Sequence, residues 1–166
     1  MEPVDRTHSH AKHRAYRFLA ARARSSHELR NHLIQRGYPS QIIGNVLDEL
    51  EAEGYIDDRK FALNWARYRL EKKPLGRRRL IYELRRRGVT AETISEILGQ
   101  IYTEFDEVGL AERAMLKRFM EKNLLRSARE RERCARYLMG LGFESDVITA
   151  ILAERSSPTS YTEEDY

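Results

Sequence analysis

Apolar residues recur at i, i+3, i+4 and i+7 along most of the chain, which is the period of helices with one buried face. Three segments repeat this pattern in one register. They are Leu29 to Leu50 (LRNHLIQRGYPSQIIGNVLDEL), Leu80 to Ile101 (LIYELRRRGVTAETISEILGQI) and a third from Cys134 (CARYLMGLGFESDVITAILAER). Leu33, Leu84 and Leu138 coincide, as do Tyr38, Val89 and Phe143, and Ile43, Ile94 and Ile148. Gly37, Gly88 and Gly142 fall at one position, where a helix can end in the left-handed conformation. A small polar residue then follows (Ser40, Thr90 or Ser145) and is expected to cap a second helix. Each segment is therefore a helical hairpin.

One more helix precedes each hairpin. The first is expected from about Ala11 to Ala23, with Ala15, Phe18 and Leu19 buried. Ser25, Ser26, His27 and Glu28 then form a capping box. The second begins at Asp57 or Asp58, carries Phe61, Trp65 and Tyr68 on one stripe, and is broken by Pro74 and Gly76. The third covers roughly Glu107 to Glu121. The expected fold is all-α, three tandem three-helix repeats with helix-turn-helix-like hairpins forming an elongated, curved body. The segments are an N-terminal tail (1–10), three repeats (11–54, 55–105 and 106–155) and a disordered acidic tail (156–166).

Composition agrees with helices throughout: of 166 residues only 4 are proline, and Leu, Ala, Glu and Arg dominate. The net charge is only +4, but it is segregated. Basic residues crowd Lys12 to Arg36 and Arg67 to Arg87, whereas acids crowd Asp48 to Asp58 and the last residues, Glu163, Glu164 and Asp165. A basic face of this kind can hold nucleic acid while the rest of the chain repels it. A single cysteine, Cys134, precludes an intramolecular disulfide and fits a reducing cytoplasm. The first residues lack the apolar run of a signal peptide, and no stretch is apolar enough to span a bilayer.

Catalytic constellations are missing from the pattern. His8, His10 and His13 lie close together but near the chain start, and His27 and His32 have no ligand partner at i+4. No phosphate-cradling loop or nucleophile elbow occurs. Adjacent Asp57 and Asp58 cannot both face one point from a helix, so capping and dipole stabilisation are the expected roles. The chain reads as a binding protein, not an enzyme, with no cofactor and no metal.

One surface stands out. Around the second hairpin's first helix lie Arg77, Arg78, Arg79, Arg85, Arg86 and Arg87, with Lys72 and Lys73 just before it. With Leu80, Ile81 and Leu84 buried, the opposite side holds Arg78, Arg79, Arg85 and Arg86 around Tyr82. Such a face can clamp phosphates and offer a ring for stacking. The repeat provides a control. The equivalent residues are His27, Glu28, Asn31, Ile34 and Gln35 in the first hairpin, and Glu132, Arg133, Arg136, Met139 and Gly140 in the third. All three hairpins must fold, yet only the middle one is so basic, so folding does not explain the arginines. Groove reading of the helix-turn-helix kind is disfavoured. The second helices, Ser40 to Glu53 and Thr90 to Glu104, contain no Lys or Arg and carry several carboxylates.

The chain resembles the RecX family in three stretches: residues 18–38 (FLAARARSSHELRNHLIQRGY), 50–69 (LEAEGYIDDRKFALNWARYR) and 76–89 (GRRRLIYELRRRGV). The resemblance covers about residues 12–154. It implies a cytoplasmic protein that binds the RecA recombinase and the RecA–single-stranded DNA filament. The implied effect is to modulate, most often inhibit, filament growth, ATP hydrolysis, strand exchange and coprotease activity, and so to temper recombination, DNA repair and the SOS response. A monomer that also touches single- or double-stranded DNA is expected. The alternative is a nucleic-acid-binding protein that acts without RecA and without sequence specificity.

Overall fold

The computed structural model describes residues 3–119 and 127–154. Among them are nine α-helices and no strand. They are α1 (Pro3–Ala21), α2 (Ser26–Gln35), α3 (Ser40–Ala52), α4 (Asp58–Lys72), α5 (Arg77–Arg85), α6 (Ala91–Glu104), α7 (Glu107–Phe119), α8 (Ala128–Gly140) and α9 (Ser145–Glu154). The expected acidic tail, and the end of the expected third helix beyond Phe119, lie outside the described residues. The chain divides into two compact units. One comprises Met1–Tyr68 with Ile81–Ile101, the other Arg69–Leu80 with Tyr102–Tyr166.

Helix α1 begins at Pro3, well before the expected Ala11. Tertiary contacts hold these early turns. His8 reaches Glu49 on α3 at 3.1 Å, and the His10 ring meets the Tyr38 hydroxyl at 2.9 Å. Within the first unit α1, α2 and α3 pack on one another. Ala11, Ala15, Leu29, Leu33, Ile43, Val46 and Leu50 are buried there, as the apolar period requires. Lys12 and Tyr16 fasten α1 to α3 through Glu49 and Glu53. In the second unit α7, α8 and α9 pack together, and Leu110, Met115, Cys134, Leu138, Phe143 and Ile151 are buried. Burial pushes the Cys134 thiol up to about 11, so it stays protonated and unreactive.

The caps depart from expectation in instructive ways. Ser40 is the first residue of α3; Pro39 precedes it with φ −61° and ψ 144°, a fixed extended entry that makes no side-chain cap bond. Ser145 likewise opens α9, and the first helical turn accepts from Ile148 N–H at the Glu144 carbonyl. Thr90 does cap, its hydroxyl accepting from the Thr93 N–H. Ser25 caps α2 through the Glu28 N–H, and the Glu28 carboxylate returns to the Ser25 backbone as expected while also accepting from Arg22 and Arg87. A full capping box occurs at Ser127 and Glu130, where α8 starts.

The Gly88 and Gly142 turns each seat on the second helix of the preceding repeat. In the first unit, the Gly88 turn lies on the start of α2: Ser25 Oγ donates to the Arg87 carbonyl at 2.6 Å, and a Cβ on Gly88 would meet His27 Cβ at 2.1 Å. In the second unit, the Gly142 turn lies on the start of α5. There Gly76 N–H donates to Leu141 O and Arg78 N–H to Gly142 O, both at 3.1 Å. A carboxylate seals each joint. Asp58 accepts from the Ser26 N–H and hydroxyl, and Glu107 accepts from the Arg77 N–H at 3.0 Å. Buried helix N-termini need such acceptors.

The adjacent aspartates thus have separate tasks. Asp57 caps α4 through the Lys60 N–H at 2.8 Å, and Asp58 satisfies α2. Asp58→Ala orphans two donors and is expected to lower unfolding free energy by about 2–3 kcal/mol. Asp57→Ala removes an exposed cap and should cost about 1 kcal/mol. Urea unfolding of the two variants checks this; the reverse order would refute the joint.

Candidate nucleic-acid interface

Helix α5 forms because Arg, Leu and Glu favour helix and because Gly76, at its start, leaves room for the Gly142 turn. A Cβ on Gly76 would lie 2.2 Å from the Phe143 nitrogen. Leu80 and Leu84 are fully buried, which fixes the rotation of the helix about its axis. Positions 78, 79, 82, 85 and 86 then point outward. Arg78, Arg79, Arg85 and Arg86 are exposed, and the Tyr82 side is 51 % exposed. The Arg86 guanidinium lies 5.8 Å from the centre of the Tyr82 ring. Lys72 closes α4 and Lys73 follows it, both exposed.

Arg77 and Arg87 belong to a different group. Arg77 donates through Nε to Glu107 Oε2 at 2.6 Å and lies over the Tyr102 ring at 4.4 Å. Burial and then Glu107 push the Tyr102 hydroxyl well above its ordinary value, so it remains a neutral donor, directed at the Leu75 carbonyl. Arg87 donates to Glu28 at 2.7 Å and covers the Trp65 ring at 3.5 Å. Burial alone would raise the Glu28 carboxyl, but Arg22 and Arg87 hold it below its ordinary range. Both arginines tie helices together inside their own unit. The signal for this was present in the sequence only as carboxylates opening or near helix starts, Glu28 and Glu107.

The aromatic stripe of α4 divides as well. Phe61 is buried, Trp65 is half-buried under Arg87, and Tyr68 is 52 % exposed, so it is not a core residue as its spacing suggested. No group of three or more His, Cys, Asp or Glu that could hold a metal occurs among the described residues. No described helix is long and apolar enough to cross a membrane.

Fold and surface together define a class: an all-helical protein of three-helix domains, distinguished by one helix whose outward face is arginine-rich. The profile of the RecX first three-helix domain matches residues 11–50, and that of the RecX second three-helix domain matches residues 57–98. The chain belongs to the RecX family. Regulatory protein RecX of Pelodictyon phaeoclathratiforme is 33 % identical over 83 % of this chain and 84 % of its own length. Regulatory protein RecX of Geobacillus thermodenitrificans is 35 % identical over 93 % of this chain; the match spans 57 % of that longer relative. The crystal structure of RecX from Lactobacillus salivarius shares the fold, with a TM-score of 0.81 over 90 % of this chain and 97 % of that one, at 18 % identity. Family members carry the name of a regulatory protein, not of an enzyme.

Proposed function

We propose that this protein binds the RecA recombinase and the filament RecA forms on single-stranded DNA. Bound there, it restrains filament growth, ATP hydrolysis, strand exchange and coprotease activity. The reading places it in the cytoplasm, acting as a monomer in recombination, DNA repair and the control of the SOS response. Membership of the RecX family supports the RecA part.

The observation that carries the DNA part is the exposure of the basic side chains on α5 and in the turn just after it. Arg77 and Arg87 are held by Glu107 and Glu28, whereas Arg78, Arg79, Arg85 and Arg86 face outward around Tyr82. Three outward guanidiniums on α5 and that of Arg86 in the turn just after it offer donors for phosphate oxygens, with Lys72 and Lys73 nearby in sequence. The acidic faces of α3 and α6 would meet basic protein instead of DNA. The same arginines also suit a second reading, RecA-independent nucleic-acid binding without sequence specificity.

A substoichiometric amount of the protein is expected to lower the single-stranded-DNA-dependent ATPase of RecA. Unchanged turnover and unchanged filament length at excess protein would sink the RecA reading. Tight binding to bare DNA with no effect on RecA would favour the second.

A further inference from the structure

Helix α1 sorts its cations onto opposite sides. His8 and Lys12, one turn apart, turn to α3 and are matched by carboxylates: His8 by Glu49, Lys12 by Glu49 and Glu53. Those two carboxylates hold Lys12 firmly charged, and Lys12 in turn holds both of them below their ordinary range. His10, His13, Arg14 and Arg17 lie on the far side by helical period, and with Phe18 and His32 of α2 they line a groove of about 250 Å³. Among the described residues, His13, Arg14 and Arg17 have no carboxylate within ion-pair distance.

The groove is also built around an aromatic ring. The His32 ring stacks on Phe18 at 4.0 Å with the planes 7° apart, and the Arg24 guanidinium lies 4.2 Å from the Phe18 centre. Arg24 Nε is buried and makes no hydrogen bond within the described residues. His32 titrates below its ordinary value, first through burial and then through Arg36, Arg14 and Arg24, which are all of one sign. His10 is bonded to Tyr38. One helix face thus matches its cations with acids, and the other leaves an unbalanced positive field at close range. An unbalanced field of this kind lacks an anion.

We propose that this groove is a further anion site, in which Arg14 and Arg17, with the imidazoles of His10, His13 and His32, hold phosphodiester groups of a single-stranded nucleic acid. His10 to Arg17 spans about 10 Å along the helix at 1.5 Å per residue. That length matches a row of phosphates better than a single ion, since a strand carries one charge per roughly 3.4 Å of axis. The site shares with the proposed function only the premise that nucleic acid is met. It requires neither RecA nor α5.

The test uses the full chain and a labelled oligothymidylate followed by fluorescence anisotropy. Arg14→Ala with Arg17→Ala should flatten the log–log salt slope by about 1.4, from roughly 0.7 per phosphate on single strands. The double variant should keep the wild-type helical content by circular dichroism, and the flattening should persist in a background where Arg78, Arg79, Arg85 and Arg86 are alanine. An unchanged slope in the Arg14/Arg17 variant overturns the site. So does displacement of the groove's dependence onto polyglutamate, with the oligothymidylate slope unaffected, which would mark an acidic-protein surface. Loss of all DNA binding in the α5 background overturns it too, while leaving the proposed function standing. Failure of RecA inhibition with the groove results intact would sink only the proposed function.

Discussion

The variant with Arg78, Arg79, Arg85 and Arg86 all replaced by alanine is expected to fold normally and to lose most of its action on RecA filaments. The fold should survive because alanine is the strongest helix former and the buried contacts of Leu80 and Leu84 are untouched. Alanine also keeps the Cβ at position 79 that faces the Gly142 turn. The exposed Arg86–Tyr82 contact contributes only about 0.5–1 kcal/mol. Function should respond far more. Each guanidinium that meets a phosphate releases counterions, so losing four should flatten the salt slope by up to about three on single-stranded DNA. Filament inhibition and the salt slope, measured together, check this. If both stay at wild-type values, the face is a solvated surface and the site assignment falls. Arg87→Ala should behave in the opposite manner. It leaves the largely sheltered Glu28 carboxylate to Arg22 alone and uncovers Trp65, so stability falls before DNA binding changes.

The three repeat glycines should separate by packing, not by conformation. Gly37, Gly88 and Gly142 all have φ near +80°, at 81°, 78° and 89°. A left-handed residue other than glycine costs about 1–2 kcal/mol, and all three should share that cost. Beyond it they differ. A Cβ on Gly37 meets nothing within 4 Å, whereas on Gly88 it would overlap His27 Cβ and on Gly142 the Arg79 backbone nitrogen at 2.4 Å. Overpacking against such rigid atoms adds about 1–3 kcal/mol. Gly37→Ala is therefore expected to lose about 1–2 kcal/mol in urea unfolding, and Gly88→Ala and Gly142→Ala about 2–5 kcal/mol in total. Equal losses at all three positions would mean that the glycine turns do not carry the joints between successive repeats.

Much of this was legible in the chain itself. The 3.6-residue period of Leu33, Ile43 and Val46, and of their counterparts in the later repeats, fixed the helices and their buried sides, because a helix can bury only the stripe its period provides. The outward side of α5 followed from Leu80 and Leu84 for the same reason. Tertiary packing decided the rest. It drew Arg87 and Arg77 into ion pairs, since Glu28 and Glu107 reach them from helices far away in sequence. Asp58 was assigned to its own helix by local rules, and packing turned it to α2, where it accepts from the Ser26 N–H and hydroxyl. The start of α1 was also beyond local reach, because its first turns depend on contacts such as that of His8 with Glu49. Sequence period specifies what a helix must bury; which charges meet across helices depends on distances that exist only once those helices are packed.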